Sequence, residues 1–201
     1  MTLTTHRGEQ YEYLDETGKG YFSVTQVRRC VHDSYAGIPA QHLKAAQDRG
    51  TQLHRRFWRV IAAQAGLVEI PSVIDPFKGY CDAMDRWVVK NNVRPVRLEH
   101  KSLNRKLGYA GQTDAQVLYG KKSVLTLADL KSGEKTLTDI LQLLAYDAME
   151  DMKSKQLMNL YIHEDGTYKE VFITARDRVT HWPVFLNALS LLKWRVGNGV
   201  M

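Results

Sequence analysis

Three residues in the middle of the chain have the types and spacing needed for chemistry at a divalent cation. They are Asp114, Asp129 and Lys131. Residues two apart on a strand point the same way, so Asp129 and Lys131 should project side by side. If two strands pair about a turn at Gly120 and Lys121, Asp114 lies roughly level with residues 127–129, and the two acids can share one ion. Paired carboxylates favour Mg²⁺ or Mn²⁺, which accept water and phosphate at their remaining positions.

The residue pattern predicts the elements that position these side chains. Alternating or continuous apolar runs predict strands at 96–103, 109–119, 123–131, 156–163 and 168–174. Helical spacing predicts a short helix capped near Ser23 and Thr25 and running through Cys30, then helices at 39–65, 76–90 and 136–152, and a last helix to about Val196 with Pro183 near its start.

This order of elements predicts an α/β fold, in which a central mixed β-sheet is flanked by helices. The strands 96–103, 109–119 and 123–131 should form an antiparallel meander. The third of these is largely apolar on both faces, as a central strand is. We find no repeat or linker and expect a single domain over 1–201, with residues 1–20 lying on its surface.

Composition excludes several classes of protein. A hydrophobic fraction of 44% and a charged fraction of 25% exclude wholesale disorder. No apolar run approaches the ~18 residues that span a bilayer, and residues 1–10 lack the apolar core of a secretory signal, so we expect a cytoplasmic protein without a membrane partner. Two distant cysteines, Cys30 and Cys81, cannot supply a four-cysteine cluster and are expected to be reduced core thiols.

The charge balance favours a polyanionic partner. The chain has 28 Lys and Arg against 22 Asp and Glu, a net charge of +6. We expect roughly one basic group in two to face phosphate, and the rest to be solvated. The groups are Arg55, Arg56 and Arg59; Lys101, Arg105 and Lys106; Lys121 and Lys122; Lys153 and Lys155.

Asp114, followed by Asp129-Leu-Lys131, resembles the signature of the PD-(D/E)XK nuclease superfamily, with Thr-Asp in place of Pro-Asp. Four further features, covering with the signature about 23–146, resemble the RecB-type branch, which includes many phage-encoded exonucleases. They are Arg49-Gly-Thr-Gln-Leu-His54, Gly108-Tyr-Ala-Gly before Asp114, Ser132-Gly133 after the lysine, and Gln142-Leu-Leu-Ala-Tyr146.

The resemblance implies a restriction-endonuclease-like core and a role for each matched residue. Asp114, Asp129 and Lys131 would be catalytic. His54 and the backbone carbonyl of Leu130 would join the two acids as ligands of Mg²⁺ or Mn²⁺, and no iron-sulfur cluster is expected. Glu99 would support the metal site, and Gln142 and Tyr146 would brace it or contact the DNA backbone.

Taken without the resemblance, several of these residues have an ordinary structural interpretation. A single His among aromatic residues, such as His54, is more often a packing residue. Glu99 would be an exposed strand acid, and Gln142 and Tyr146 the polar edge of an amphipathic helix. Asp139 and Asp147, on the same predicted helix, are expected to be solvated.

The implied function is a metal-dependent DNA exonuclease acting in replication, recombination or repair. Its partners would be DNA ends and recombination or replication proteins, in the cytoplasm of a bacterial cell or phage host. A structure-selective or restriction-type endonuclease is an alternative on the same scaffold. A catalytically silent DNA-binding module of a larger nuclease complex is another, but such a module has no need of three converging polar groups such as Asp114, Asp129 and Lys131.

Overall fold

A computed structural model describes residues 3–5, 11–32, 37 and 39–200. It confirms a mixed α/β fold with a central mixed sheet flanked by helices. The strands are β1 (Thr4–Thr5), β2 (Tyr13–Leu14), β3 (Gly20–Ser23), β4 (Arg94–Asn104), β5 (Tyr109–Tyr119), β6 (Val124–Lys131), β7 (Gln156–Ile162) and β8 (Tyr168–Phe172). The helices are α1 (Val24–Val31), α2 (Ala40–Gln64), α3 (Lys78–Lys90), α4 (Thr138–Asp147) and α5 (Ala175–Gly197).

The strand order places β5 and β6 at the centre of the sheet. The strands β4, β5 and β6 form the expected antiparallel meander, and β6 continues through α4 into β7, which is parallel to it. One edge of β5 is shared by two neighbours. It pairs with β3 at Tyr109 and Ala110 and with β6 from Ala115 to Tyr119. The strands β3 and β6 therefore diverge alongside residues 111–114.

Two apolar cores lie on the two faces of this sheet. On one face, α1, α4 and α5 pack against β5, β6 and β7 through residues such as Val27, Leu144 and Phe185. On the other, α2 and α3 pack through residues such as Phe57 and Trp87. A smaller third core joins Leu3 and Tyr21 to β4 and β5, and β1 and β2, in the segment expected to lie on the surface, extend the sheet beyond β3.

Side-chain caps decide where two helices begin. Ser23 caps α1 and exchanges hydrogen bonds with Gln26. The last helix was expected to begin near Pro183, and this is wrong. Thr174 and Asp177 form a capping box that starts α5 at Ala175, so Pro183 lies inside the helix.

Within the described residues, no helix combines the length and apolar character needed to cross a membrane.

The close packing of α3 generates a stability prediction. A methyl group on Gly79 would overlap the backbone carbonyl of Glu164 in the turn between β7 and β8. Because a backbone group yields less than a flexible side chain, we expect Gly79→Ala to lower the free energy of unfolding by about 1–3 kcal/mol. Chemical denaturation measures this change.

Gly50→Ala is the matched control, because Gly50 also lies within a helix but has open space where its methyl group would be. It should raise stability by up to about 1 kcal/mol. Equal effects of the two substitutions would contradict the packing of α3 on the turn.

Candidate active site

Asp114 lies where β3 and β6 diverge from β5. The last paired residues of β5 and β6 are Ala115 and Ala128, so Asp114 lies level with Asp129, as the hairpin predicts. The Oδ2 atom of Asp114 accepts a hydrogen bond of 2.7 Å from the backbone N–H of Leu130. The Asp114 side chain thus continues the hydrogen bonding between β5 and β6 one residue beyond their last backbone pair.

His54 reaches the same carboxylate from α2. Its Nδ1 atom lies 3.0 Å from Oδ1 of Asp114, and its side chain is 36% exposed. Burial by itself would lower the pKa of His54, but the charge and hydrogen bond of Asp114 outweigh it and raise that pKa above the ordinary value. In turn, burial would raise the pKa of Asp114, but His54 and the Leu130 N–H hold it below the ordinary value.

Asp129 is held more deeply, with 1% of its surface exposed. Its Oδ2 lies 2.5 Å from the Lys131 ammonium, and its Oδ1 accepts a 3.0 Å hydrogen bond from Nε2 of Gln142. Burial raises the pKa of Asp129; Lys131 opposes this rise, and the charge of Asp114 adds to it. The two acids therefore differ in proton affinity, and Asp114 is the more readily ionised.

The amide of Gln142 joins the acid to the lysine. While its Nε2 donates to Asp129, its Oε1 accepts a 2.8 Å hydrogen bond from Lys131. Nε2 also lies 3.1 Å from the hydroxyl of Tyr146, one turn further along α4. The structure thus brings Gln142 and Tyr146 to the acids from the helix that connects β6 to β7.

Glu99 lies on β4 at the level of Asp114, between the pairs Leu98–Ala115 and His100–Thr113. Its φ of 49° is unusual for a residue other than glycine. Its carboxylate accepts a hydrogen bond from Gln112, and burial followed by the charge of Asp114 raises its pKa. Backbone strain of this kind costs of order 1–3 kcal/mol and is concentrated at functional sites.

An open cavity of about 550 Å³ is lined by His54, Glu99 and Asp114, together with the α2 residues Gly50 and Thr51. Within the described part of the chain, no three His, Cys, Asp or Glu side chains form a ready-made metal cluster. Two carboxylates still suit Mg²⁺ or Mn²⁺, because these ions complete their coordination with water and phosphate. The donor chemistry therefore fits the expected ion.

A second layer of polar residues, which sequence reasoning missed, supports the site. Arg28 of α1 donates to Oε1 of Gln142, and its guanidinium also contacts Thr138 at 3.1 Å and Asp139 at 3.4 Å. The only signal for Arg28 was a basic residue in the last turn of a helix, which is ordinary.

The expectation that Asp139 and Asp147 are solvated is wrong. Asp139 is buried and accepts hydrogen bonds from Thr136 and from the hydroxyl of Tyr161 at 2.8 Å. Asp147 accepts a 2.9 Å bond from the N–H of Ser154 and pairs with Arg178 at 2.8 Å. Carboxylates are removed from water when several donors replace it, which is how the buried Asp139 and the half-buried Asp147 are accommodated.

Asn159 was also missed. It pairs with Asp129 across β6 and β7, and 1% of its surface is exposed. Neither of its side-chain polar atoms hydrogen-bonds another residue of the described chain. Each polar group of a buried amide that lacks a hydrogen-bond partner lowers the free energy of unfolding by about 1–3 kcal/mol.

Comparisons with known proteins find similar structures but no similar sequence. No protein-family model matches the chain, and no curated protein sequence matches it. Among the solved structures similar to it is a crystal structure of an alkaline exonuclease (LHK-Exo) from Laribacter hongkongensis. The two are 13% identical, with a TM-score of 0.47 over 89% of this chain and 90% of that chain.

The burial of Asn159 generates a second stability prediction. Leucine has a similar shape and no polar atoms, so Asn159→Leu should raise the free energy of unfolding by about 1 kcal/mol. Asn104→Leu is the control, because the Asn104 side chain donates a hydrogen bond to the carbonyl of Ala148 and accepts one from the N–H of Leu107. Loss of these hydrogen bonds should lower the free energy of unfolding by about 1–3 kcal/mol. Urea titration compares the two variants, and an equal loss in both would contradict the unpaired state of Asn159.

Proposed function

We propose that this protein is a Mg²⁺- or Mn²⁺-dependent nuclease that hydrolyses phosphodiester bonds in DNA. The observation that carries the proposal is the adjacency of Asp114 and Asp129 beside a lysine that the Gln142 amide holds in place. Hydrolysis of a phosphate ester needs groups such as two carboxylates and an ammonium, together with an open cavity that admits the substrate. The net charge of +6 suits a polyanionic substrate.

Asp114, Asp129 and His54, with the backbone carbonyl of Leu130, would hold the ion. Such an ion supplies activation of water and relief of phosphate charge. Water adds to phosphorus, the bond from phosphorus to the 3′ oxygen breaks, and a proton passes to that oxygen, which leaves 5′-phosphate and 3′-hydroxyl ends.

Lys131 would stabilise the negative charge that develops on the phosphate. The Lys131 side chain is 17% exposed, and its ammonium has fixed partners on one side, Asp129 at 2.5 Å and Gln142 at 2.8 Å. Preorganised donors stabilise a transition state more than mobile ones do, because they need no reorganisation during the reaction. In this proposal Gln142 and Tyr146 are positioning residues, which act through Lys131 and Asp129, and Glu99 supports Asp114.

Action from DNA ends, in replication, recombination or repair, is the finer part of the proposal. It is supported by the resemblance of the motifs to the exonuclease-rich RecB-type branch. The excess of Lys and Arg over Asp and Glu also suits contacts with the DNA backbone, which carry no sequence information. Recombination or replication proteins are the proposed protein partners.

Removal of either the Asp114 carboxylate or the Lys131 ammonium should abolish cleavage without unfolding the protein. We expect Asp114→Asn and Lys131→Ala to lower the rate of DNA hydrolysis at least about 10²-fold, equivalent to ~2.7 kcal/mol of barrier. Lys122→Ala, in the exposed turn between β5 and β6, should leave the rate unchanged. Turnover near the wild-type rate in either site variant would refute the assignment.

A thermal melt tests the metal independently of activity. Mn²⁺ or Mg²⁺ should raise the Tm of the wild-type protein by about 2–4 °C for each kcal/mol of binding free energy. Asp114→Asn removes one negative donor and should show a smaller rise, while Lys122→Ala should respond like the wild type. Equal rises in all three proteins would place the ion elsewhere.

Closed and linear DNA distinguish the two modes of cleavage. If cleavage starts from ends, a covalently closed circle should survive conditions that degrade its linear form to short products. The assay uses single-stranded and double-stranded circles beside their linearised forms, with Mg²⁺ and with Mn²⁺. Rapid cutting of the circles would favour the endonuclease alternative and leave the proposed metal chemistry unchanged.

A further inference from the structure

A second cavity, of about 460 Å³, adjoins the proposed active site along α2. One wall consists of the α2 residues Gln52, Arg55 and Arg59, and the other is the segment 69–74 that follows the helix. Arg55 also lines the cavity that contains His54 and Asp114. The two cavities are therefore neighbours that share Arg55 as a lining residue.

Three arginines of α2 line this cavity, and their environments differ. They are Arg55, Arg56 and Arg59. Arg56 is buried, and its guanidinium forms two hydrogen bonds to Asp85, of 2.7 and 2.8 Å. It also donates to the carbonyls of Pro71 and Ser72, at 3.4 and 3.3 Å. Arg56 thus holds the second wall of the cavity against α2 and is not available to a ligand.

Arg55 and Arg59 are exposed on one face of α2, one turn apart. Over the described ranges, neither side chain takes part in a hydrogen bond or an ion pair. Like charges at this spacing destabilise a helix slightly, so the pair makes no evident contribution to folding. Among the described residues, Glu69 is the one acid that lines the second cavity, so positive charge predominates there.

The cavity also offers apolar surface. Ile70, 81% exposed, and Pro71 lie in the wall opposite the arginines. A nucleotide presents a phosphate on one side and a sugar and base on the other. The guanidinium fork matches phosphate oxygens, and an aliphatic surface can contact the less polar parts.

We propose that the DNA strand follows α2 away from the scissile phosphate, with Arg55 and Arg59 binding successive backbone phosphates and the second cavity taking the adjoining nucleotide. This inference rests on the proposed nuclease function and names the route of its substrate. The two arginines are four positions apart in the helix, which corresponds to a rise of about 6 Å. The contacts are with backbone, so they carry no base specificity.

The route can be tested without cleavage by measuring the binding of labelled linear DNA by fluorescence anisotropy, in the presence of a metal chelator. Arg55→Gln combined with Arg59→Gln should weaken binding at least tenfold. It should also reduce the slope of log K against log salt by about 1.4–1.8, the value expected for two phosphate contacts. Lys121→Gln combined with Lys122→Gln removes the same charge from the exposed tip of the β5–β6 turn and should have a much smaller effect.

Neutral methylphosphonate linkages locate the contact. When one linkage at a time is introduced near the DNA end, one or two positions should weaken binding to the wild-type protein but not weaken it further in the double arginine variant. Thermal melts of all variants check that they are folded, which exposed Gln substitutions should permit.

The outcomes separate this inference from the proposed function. A wild-type protein that cleaves DNA, with arginine variants that match the lysine variants in affinity and salt dependence, overturns the route alone. Additive effects of methylphosphonate and arginine substitution at every position also overturn it. A wild-type protein that neither binds nor cleaves DNA overturns both proposals.

Discussion

The hydrogen bond from the Leu130 N–H to Asp114 is the contact on which the proposed site depends. It forms where β6 leaves β5 and the strand ladder has ended, so the backbone group needs another partner. Because Asp114 supplies it, the two strands stay close for one more residue, and this places Asp114 beside Asp129. Two carboxylates are thereby brought together with little exposure to solvent, which is unfavourable for both unless cationic groups or hydrogen-bond donors lie near them.

The compensating groups come from opposite sides of the sheet. His54 is carried by α2, which packs on one apolar core, and Gln142 by α4, which packs on the other. The connection from β6 through α4 to β7 brings Gln142 back over the end of β6, where it meets Asp129 and Lys131. The candidate site therefore depends on the packing of both cores, although the acids themselves belong to neighbouring strands.

Charged residues that are close in sequence can have different functions in the fold. In α2, Arg56 is directed inwards and holds the following segment, while Arg55 and Arg59 remain exposed. In α4, Asp139 and Asp147 both accept several hydrogen bonds, although a helix pattern alone suggested solvated acids. In each case the outcome depends on which donors the neighbouring elements supply, because a charge is buried only where partners replace water.

The sequence alone determined the strands of the meander, the central position of β6 and the level of Asp114 relative to Asp129. These follow from residue alternation and from one short turn, and both are local properties. The residues of the candidate site could also be named from their motifs, and their roles stay proposals. The tertiary structure decided which distant groups meet them. Arg28 reaches Gln142 across 114 residues, and Asn159 lies level with Asp129 because β7 is parallel to β6. No local pattern encodes such contacts, since they depend on how whole elements pack around the sheet.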